Sequence, residues 1–406
     1  MESSTTKVHP TYEETSEHLA KAAERSPLIR KEVIGKSFEG RDLWLATITD
    51  PSVDNEQKQV LALSCGVHGS EEGGRALGMA VLDWAQTPQA LNTLRRQRVL
   101  LFPCVNPDGA ERNSYHNAQD INLYLGHAMD GTPLTPEREA VWNVLSREVP
   151  EAYVDCHGLA GGSMEELTLP PLGRNCGAEN VILNVIAWEM TQAAEAAGFP
   201  QRLPHLLDCW MADRPQLTCD KMLLRQFNTL TFTVEMNECY LTWQQCQQSG
   251  LPRLLTLMEY GNRASFGLPF EGYPCGWLAG ATMKGIIPHG RTAGARRRNR
   301  AQMMPFIYAR YPNFGRRPDK DGVCIVDVEI ADGTPKTPEA MAFLVRVYPW
   351  STVREAAFDG KPLDRDGFPT GWTLVDDPCS HAAVISLGFP VETGKHQIRV
   401  TYTDKR

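Results

Sequence analysis

The chain has 406 residues, 42% of them hydrophobic and 22% charged, which is more than a single core usually holds, so one large and one smaller domain are expected. A net charge of −8 argues against a nucleic-acid or anionic-membrane partner, and no run of about 18 apolar residues suggests a membrane span. The polar start Met1-Glu2-Ser3-Ser4 carries no targeting signal, and eleven cysteines without C-x-x-C spacing read as free thiols in the cytoplasm.

Thr11-Tyr12-Glu13-Glu14 fits a capping box, and Tyr12, Leu19, Ala20 and Ala23 give a helical face that ends before Ser26-Pro27. Alternating apolar positions from Ile34 to Ile48, around the glycine-bearing turn Glu39-Gly40, predict a hairpin. Val60 to Leu63 is an apolar run of the kind buried on both faces of a sheet. A helix over 73–84, a strand over 98–105, and a helix from Thr135-Pro136 through Leu145 follow. The strand 152–156, a helix over about 180–197, the strand 230–234 and a helical stretch near 251–264 continue the alternation. It implies an α/β domain over residues 1–266, with a mixed, largely parallel central sheet between helix layers.

Residues 267–320 are rich in glycine, proline and arginine and read as a connecting region. Arg291, Arg296, Arg297, Arg298 and Arg300 are expected there as a solvated cluster. From residue 321 to 406 the pattern is short strands, at 324–330, 342–348, 372–375, 382–387 and 396–402, punctuated by Asp359-Gly360 and Thr393-Gly394. They predict an all-β sandwich with a structural role, in which Trp350 and Trp372 are core residues rather than a sugar platform.

The chemistry gathers at strand ends. Leu61 to Cys65 runs into Gly66-Val67-His68-Gly69-Ser70-Glu71, which aims a histidine and a carboxylate three residues apart at one point above the sheet edge. Ala152 to Asp155 repeats the pattern and ends in Cys156-His157-Gly158. His68, Glu71 and His157 together form a His2Glu set with an open fourth position, which suits one catalytic Zn2+ per chain. Glu235, closing the strand 230–234, is the candidate general base.

Ile34-Gly35-Lys36-Ser37-Phe38-Glu39-Gly40-Arg41, His68-Gly69-Ser70-Glu71, Asn106-Pro107-Asp108-Gly109, Asp120-Ile121-Asn122, His157-Gly158 and Thr233-Val234-Glu235 occur in the order seen in the M14 zinc carboxypeptidases, and over residues 8–265 the chain resembles that family. The resemblance implies a mixed eight-stranded sheet flanked by helices, zinc on His68, Glu71 and His157, and Glu235 as base. It also implies that Arg112 polarises the scissile carbonyl, that Asp120 orients the first histidine, and that Asn122 keeps part of a site for the substrate carboxylate. The sequence departs from the family at Leu123, which stands where D-x-N-R has its carboxylate-gripping arginine, and in having no tyrosine between His157 and Glu235. Arg174, Arg214 or Arg225 is a possible replacement for the arginine.

The expected function is zinc-dependent hydrolysis of a peptide or small amide, with metal-activated water. A deacylase or amidase acting on a small N-acyl substrate is the alternative within that class. A non-catalytic binding protein on the same fold is the alternative outside it, favoured by the missing arginine and opposed by the retained Glu235. Oligomeric state is left open.

Overall fold

A computed structural model describes residues 10–128, 130–158, 166–169, 179–201, 218–227 and 229–262. In the C-terminal part it describes 286–288, 292–295, 297–298, 307–310, 322–333, 340–346, 351–367, 369–377, 380–388 and 391–404. The chain divides into two compact units. The first takes Met1–Gly173, Ile186–Leu223 and Thr231–Asn262, and the second takes Arg174–Val185, Leu224–Leu230 and Arg263–Arg406.

The first unit begins with α1 (Tyr12–Arg25). Its Thr11 side chain accepts from the Glu14 amide while Glu14 reaches back to the Thr11 amide, so two of the four orphan donors at the helix start are satisfied. β1 (Ile29–Lys36) and β2 (Asp42–Ile48) form the expected hairpin, with a register shift between Val33 and Gly35. β3 (Gln59–Cys65), α2 (Glu72–Ala85), α3 (Ala90–Leu94), β4 (Gln97–Phe102) and α4 (Pro107–Arg112) follow. After them come α5 (Pro136–Glu148), β5 (Ala152–Gly158), β6 (Leu167–Leu169), α6 (Glu179–Ala196), α7 (Cys219–Phe227), β7 (Leu230–Met236) and α8 (Trp243–Asn262).

Among the described residues the sheet has seven strands in the order β1-β2-β4-β3-β5-β7-β6. β3 lies parallel to both β4 and β5, while β1, β2 and β6 pair antiparallel. Every residue of β3 and of β5 is buried, which is why both read as continuous rather than alternating apolar runs. The ligand-bearing ends therefore project from the middle of the sheet, where the backbone is held on both sides.

A buried carboxylate fastens the hairpin to this frame. Asp108, at the start of α4, accepts from Ser37 Oγ at 2.7 Å, the Glu39 amide at 2.9 Å and Arg41 Nη1 at 2.7 Å. Glu137 on α5 accepts the Phe38 amide at 3.0 Å. The G-K-S-F-E-G-R stretch is thus the turn that docks on the Asn-Pro-Asp-Gly helix start.

The second unit contains two antiparallel sheets. One has the order β13-β12-β16-β10-β9 and the other β14-β15-β11-β8. Their strands are β8 (Ile286–Pro288), β9 (Ile307–Arg310), β10 (Val323–Ile330), β11 (Ala340–Arg346), β12 (Ser351–Phe358), β13 (Lys361–Pro362), β14 (Gly371–Asp377), β15 (Ser380–Gly388) and β16 (Gly394–Asp404). Val326, Val328, Phe343, Ile385, Ile398 and Val400 fill one core between them. Trp372 is 4% exposed within that core, whereas Trp350 lies outside the described residues.

Two features differ from the sequence expectation. β8 and β9 come from the stretch read as a connection: β8 pairs with β11 and β9 with β10, so that stretch supplies edge strands. Arg297 is buried at 7% exposure rather than solvated, while Arg291, Arg296 and Arg300 lie outside the described residues.

Candidate metal centre

β3 ends at Cys65, paired in register with Cys156 of β5, so the two chains leave the sheet side by side. Gly66 takes φ +62°, a left-handed conformation that turns the chain sharply out of the strand. The turn then packs against α4 so closely that a Cβ on Gly69 would collide with the Gly109 backbone. Arg75, one turn into α2 and 2% exposed, donates from Nη1 to the Gly69 carbonyl at 2.8 Å and to the Glu71 carbonyl at 3.4 Å. It fixes the backbone from which His68 and Glu71 extend.

His68, Glu71 and His157 come together as expected. One ligand atom from each lies within 4.8 Å of the others, and all three are buried. His68 Nδ1 is 2.8 Å from Glu71 Oε1, and His157 Nδ1 is 2.9 Å from Glu71 Oε2. Both imidazoles thus turn the same nitrogen toward one carboxylate. This donor set, two nitrogens and a carboxylate closing on one point, fits a zinc ion chemically.

Each far nitrogen faces an oxygen, His68 through a hydrogen bond and His157 at ion-pair distance only. His68 Nε2 lies 3.0 Å from Asn122 Oδ1, and His157 Nε2 lies 3.3 Å from Asp155 Oδ1. Asp155 in turn accepts from the Tyr153 hydroxyl at 3.2 Å. Such outer contacts choose the tautomer and orientation of a ligating histidine. Two tyrosines wall the cluster: Tyr115 stacks on His68 with ring centroids 3.6 Å apart, and Tyr124 meets both imidazoles edge-on, at 6.1 and 5.1 Å.

Charge in the cluster is uneven. Burial lowers His68, although its contact with Glu71 works the other way. Burial also opposes charge on His157, but Asp155 and Glu71 overcome it and raise His157 well above the usual imidazole range. Glu71 is held at about 2, because the two histidines outweigh the effect of burial. Two carboxylates facing His157 thus demand a positive charge between them, which a proton or a metal ion can supply.

Glu235 closes β7 with its side chain partly buried. Burial first, and then the Glu71, Asp155 and Glu238 carboxylates, push it up to about 8, while His157 pulls the other way. Its backbone carbonyl accepts from Arg253 Nη1 at 3.3 Å, and Arg253 is itself buried in an ion pair with Glu166.

Three expected roles meet a different geometry. Asp120 does not orient His68: with φ +59° its carboxylate turns outward, 93% exposed, and lies 2.8 Å from His116 Nδ1. Asn122 occupies the orienting place instead, and the same oxygen accepts the Tyr124 amide at 2.9 Å, so it caps a 3-10 turn rather than standing free for a substrate carboxylate. Arg112, half exposed at the end of α4, forms an ion pair with Glu39 at the hairpin tip and, among the described residues, no hydrogen bond or ion pair with the cluster.

Leu123 is completely buried, and its carbonyl accepts from Arg138 Nε at 2.5 Å. Its side chain is therefore part of the core, not an apolar patch in an open pocket. Arg174, Arg214 and the Arg225 side chain lie outside the described residues.

The sequence reading missed Tyr115, Asp155, Arg138 and Arg75. Asp155 had a signal, since it sits two residues before His157 on the same face of a strand. Tyr115 had none, because a loop carries it to His68 from 47 positions away in the sequence.

A buried His2Glu cluster that could hold a metal ion thus stands at the carboxyl ends of parallel strands in an α/β domain. Residues 15–160 match the family model described as zinc carboxypeptidase. A zinc carboxypeptidase of Saccharothrix mutabilis subsp. capreolus is 31% identical over 107 residues, covering 25% of this chain and 24% of that protein. Carboxypeptidase M of Mus musculus is 27% identical over 149 residues, covering 31% and 32%. The chain thus spans about a quarter of the length of the first of these relatives.

Among solved structures, bovine thrombin-activatable fibrinolysis inhibitor in complex with tick carboxypeptidase inhibitor has a TM-score of 0.53 at 17% identity, covering 63% of this chain and 97% of that one. A metallo-carboxypeptidase from Burkholderia cenocepacia has a TM-score of 0.52 at 18% identity, covering 61% and 68%. The fold of the first unit is that of the zinc carboxypeptidases, and the chain carries an M14 metallocarboxypeptidase-like domain.

Proposed function

We propose that the protein is a zinc-dependent hydrolase of a peptide or small amide bond, holding one zinc ion on His68, Glu71 and His157. The observation that carries this reading is the convergence of two imidazole Nδ1 atoms on the single Glu71 carboxylate. Glu235 stands on β7, the strand next to β5, and burial raises its proton affinity toward neutrality. Zinc would lower the pKa of a bound water and polarise the carbonyl to be cleaved.

The chain's own residues do the rest. Asn122 and Asp155 hold the two imidazoles so that Nδ1 faces the centre. Glu235 takes a proton from the attacking water and returns it to the departing amine, a role that needs a carboxylate able to hold a proton near working pH. Arg253 and Glu166 brace the strand end that presents it.

Within this reading a free C-terminal carboxylate brings a substrate no large preference over an amidated one. Leu123 is buried, and Arg112 is engaged by Glu39, so neither offers a guanidinium for a carboxylate or a developing oxyanion. Paired dipeptide substrates, one with a free and one with an amidated C-terminus, test this. Hydrolysis of both at similar kcat/KM, abolished by a chelator, is expected. A zinc-loaded protein that turns over neither substrate would favour a binding protein on the same fold. A cytoplasmic location belongs to the proposal and is supported by Cys65, Cys104, Cys156, Cys219 and Cys246 being buried free thiols; cell fractionation checks it.

A further inference from the structure

We infer that Glu238 is a positioning residue of the metal centre: it caps helix α2 from the end of β7, in place of Glu71, and so leaves the Glu71 carboxylate free to serve as a ligand. Glu71 occupies the N-cap position of α2 with the extended backbone usual there, φ −89° and ψ 99°, yet its side chain makes no capping bond. An N-cap side chain ordinarily accepts the amide of the second or third helical residue. The Glu71 carboxylate instead faces Nδ1 of His68 and of His157 and accepts the Gly158 amide at 3.2 Å.

The amide it leaves is that of Gly73, the second residue of α2, and this amide is not orphaned. Gly73 N donates to Glu238 Oε2 at 2.7 Å, a buried bond between residues 165 apart in the chain. Glu238 is 5% exposed and stands just past β7, where its own amide donates to the Met236 carbonyl at 3.0 Å and turns the chain. A buried amide without an acceptor is costly, so removal of Glu238 would draw the N-cap carboxylate of Glu71 back toward its own helix and away from the histidines.

A third element closes on the same carboxylate. A Cβ on Gly158 would lie 2.1 Å from Glu238 Oε2, and the nearest atoms to it all belong to the Glu238 carboxylate. Gly158 has no left-handed φ, so this close approach, not backbone conformation, is what an alanine there would meet. One side chain thus ties together the helix that follows Glu71, the strand end that carries His157 and the strand that carries Glu235.

This inference rests on the metal-site reading proposed above. The test is the zinc affinity of the full-length protein by chelator competition, with melting temperatures taken with and without zinc, for wild type, Glu238→Ala, Glu238→Gln, Gly158→Ala and the Gly158→Ala/Glu238→Ala double variant. Glu238→Ala should weaken zinc binding by about tenfold, the lower end of the range for partners of metal ligands. Glu238→Gln keeps an acceptor oxygen and should stay within about threefold of wild type. Gly158→Ala, which pushes the carboxylate off the Gly73 amide without deleting it, should cost about tenfold in wild type and less than about twofold in the Glu238→Ala background.

A Glu238 felt only as a nearby negative charge would make glutamine as harmful as alanine. A Glu238 acting only on the fold would lower both melting temperatures equally and leave zinc affinity unchanged. Either result, or a Gly158→Ala loss of equal size in both backgrounds, overturns the inference. If Glu238→Ala fails to fold, Glu238→Met, which keeps the bulk without the oxygen acceptor, takes its place in the same cycle. Wild-type protein that binds no zinc would sink the metal site itself, whereas wild type that binds zinc beside a Glu238→Ala variant that binds it equally well would sink only the role of Glu238.

Discussion

Tyr115 lies flat against His68, with ring centroids 3.6 Å apart and planes inclined by 18°. The imidazole is thereby pinned from the side while Asn122 and Glu71 hold its two nitrogens. An aromatic pair of this kind contributes about 0.5–1.5 kcal/mol beyond area burial. Tyr115→Ala should therefore weaken zinc binding by about three- to tenfold, whereas Tyr115→Phe, which keeps the stacked ring, should leave it near wild type. Equal losses in both variants would assign the effect to the hydroxyl instead.

Asn122, rather than Asp120, is next to His68. Asn122→Ala should lower zinc affinity by at least about tenfold, while Asp120→Ala should change it by less than about twofold, because Asp120 is an exposed partner of His116. Metal titration of the two variants decides the matter. The opposite ranking would restore Asp120 to the orienting role.

Glu235 links pH to stability. In the unfolded chain its carboxyl ionises near the ordinary glutamate value, but in the folded, metal-free protein it does so at about 8. Across that window the folded state holds a proton that the unfolded state has released. Its contribution to stability is therefore present at low pH, is lost progressively as pH rises, and is fully lost above about 8. Metal-free Glu235→Gln should melt higher than metal-free wild type at pH 8.5, and the gap should narrow at pH 5. In the zinc-loaded form the same variant should lose at least about 10²-fold in kcat. A melting difference independent of pH would show that Glu235 is not the titrating group.

Much of this architecture was legible in the sequence. Thr11 and Glu14 form the capping box, β3 and β5 are the unbroken apolar runs in mid-sheet, and His68, Glu71 and His157 meet because the first two follow β3 by a few residues and the third lies at the end of β5. What could not be read depended on single backbone dihedrals or on distant partners. Asp120 is turned away by one positive φ, and Arg112 is captured by Glu39 from 73 positions earlier. β8 and β9 were missed because strands of three and four residues at sheet edges leave little periodicity amid glycine and proline.

Leu123 shows how a family comparison misleads without burial. The sequence alone invites restoring an arginine there to gain a carboxylate anchor. In the structure the site is fully buried, and a guanidinium would be desolvated beside Arg138. Leu123→Arg should therefore lower the melting temperature sharply, with a stability loss above about 3 kcal/mol, and should give no gain for free-carboxylate substrates. A stable variant with improved kcat/KM on such substrates would mean that position 123 opens to the substrate.

The central claim is that His68, Glu71 and His157 bind a catalytic metal, and the direct measurement is calorimetric titration of zinc into the metal-free protein. One high-affinity site per chain is predicted, lost in Glu71→Gln and in His157→Ala, with hydrolysis of an amide substrate appearing in step with occupancy. Wild-type protein that takes up no zinc, or a Glu71→Gln variant that binds it as tightly as wild type, would contradict the account.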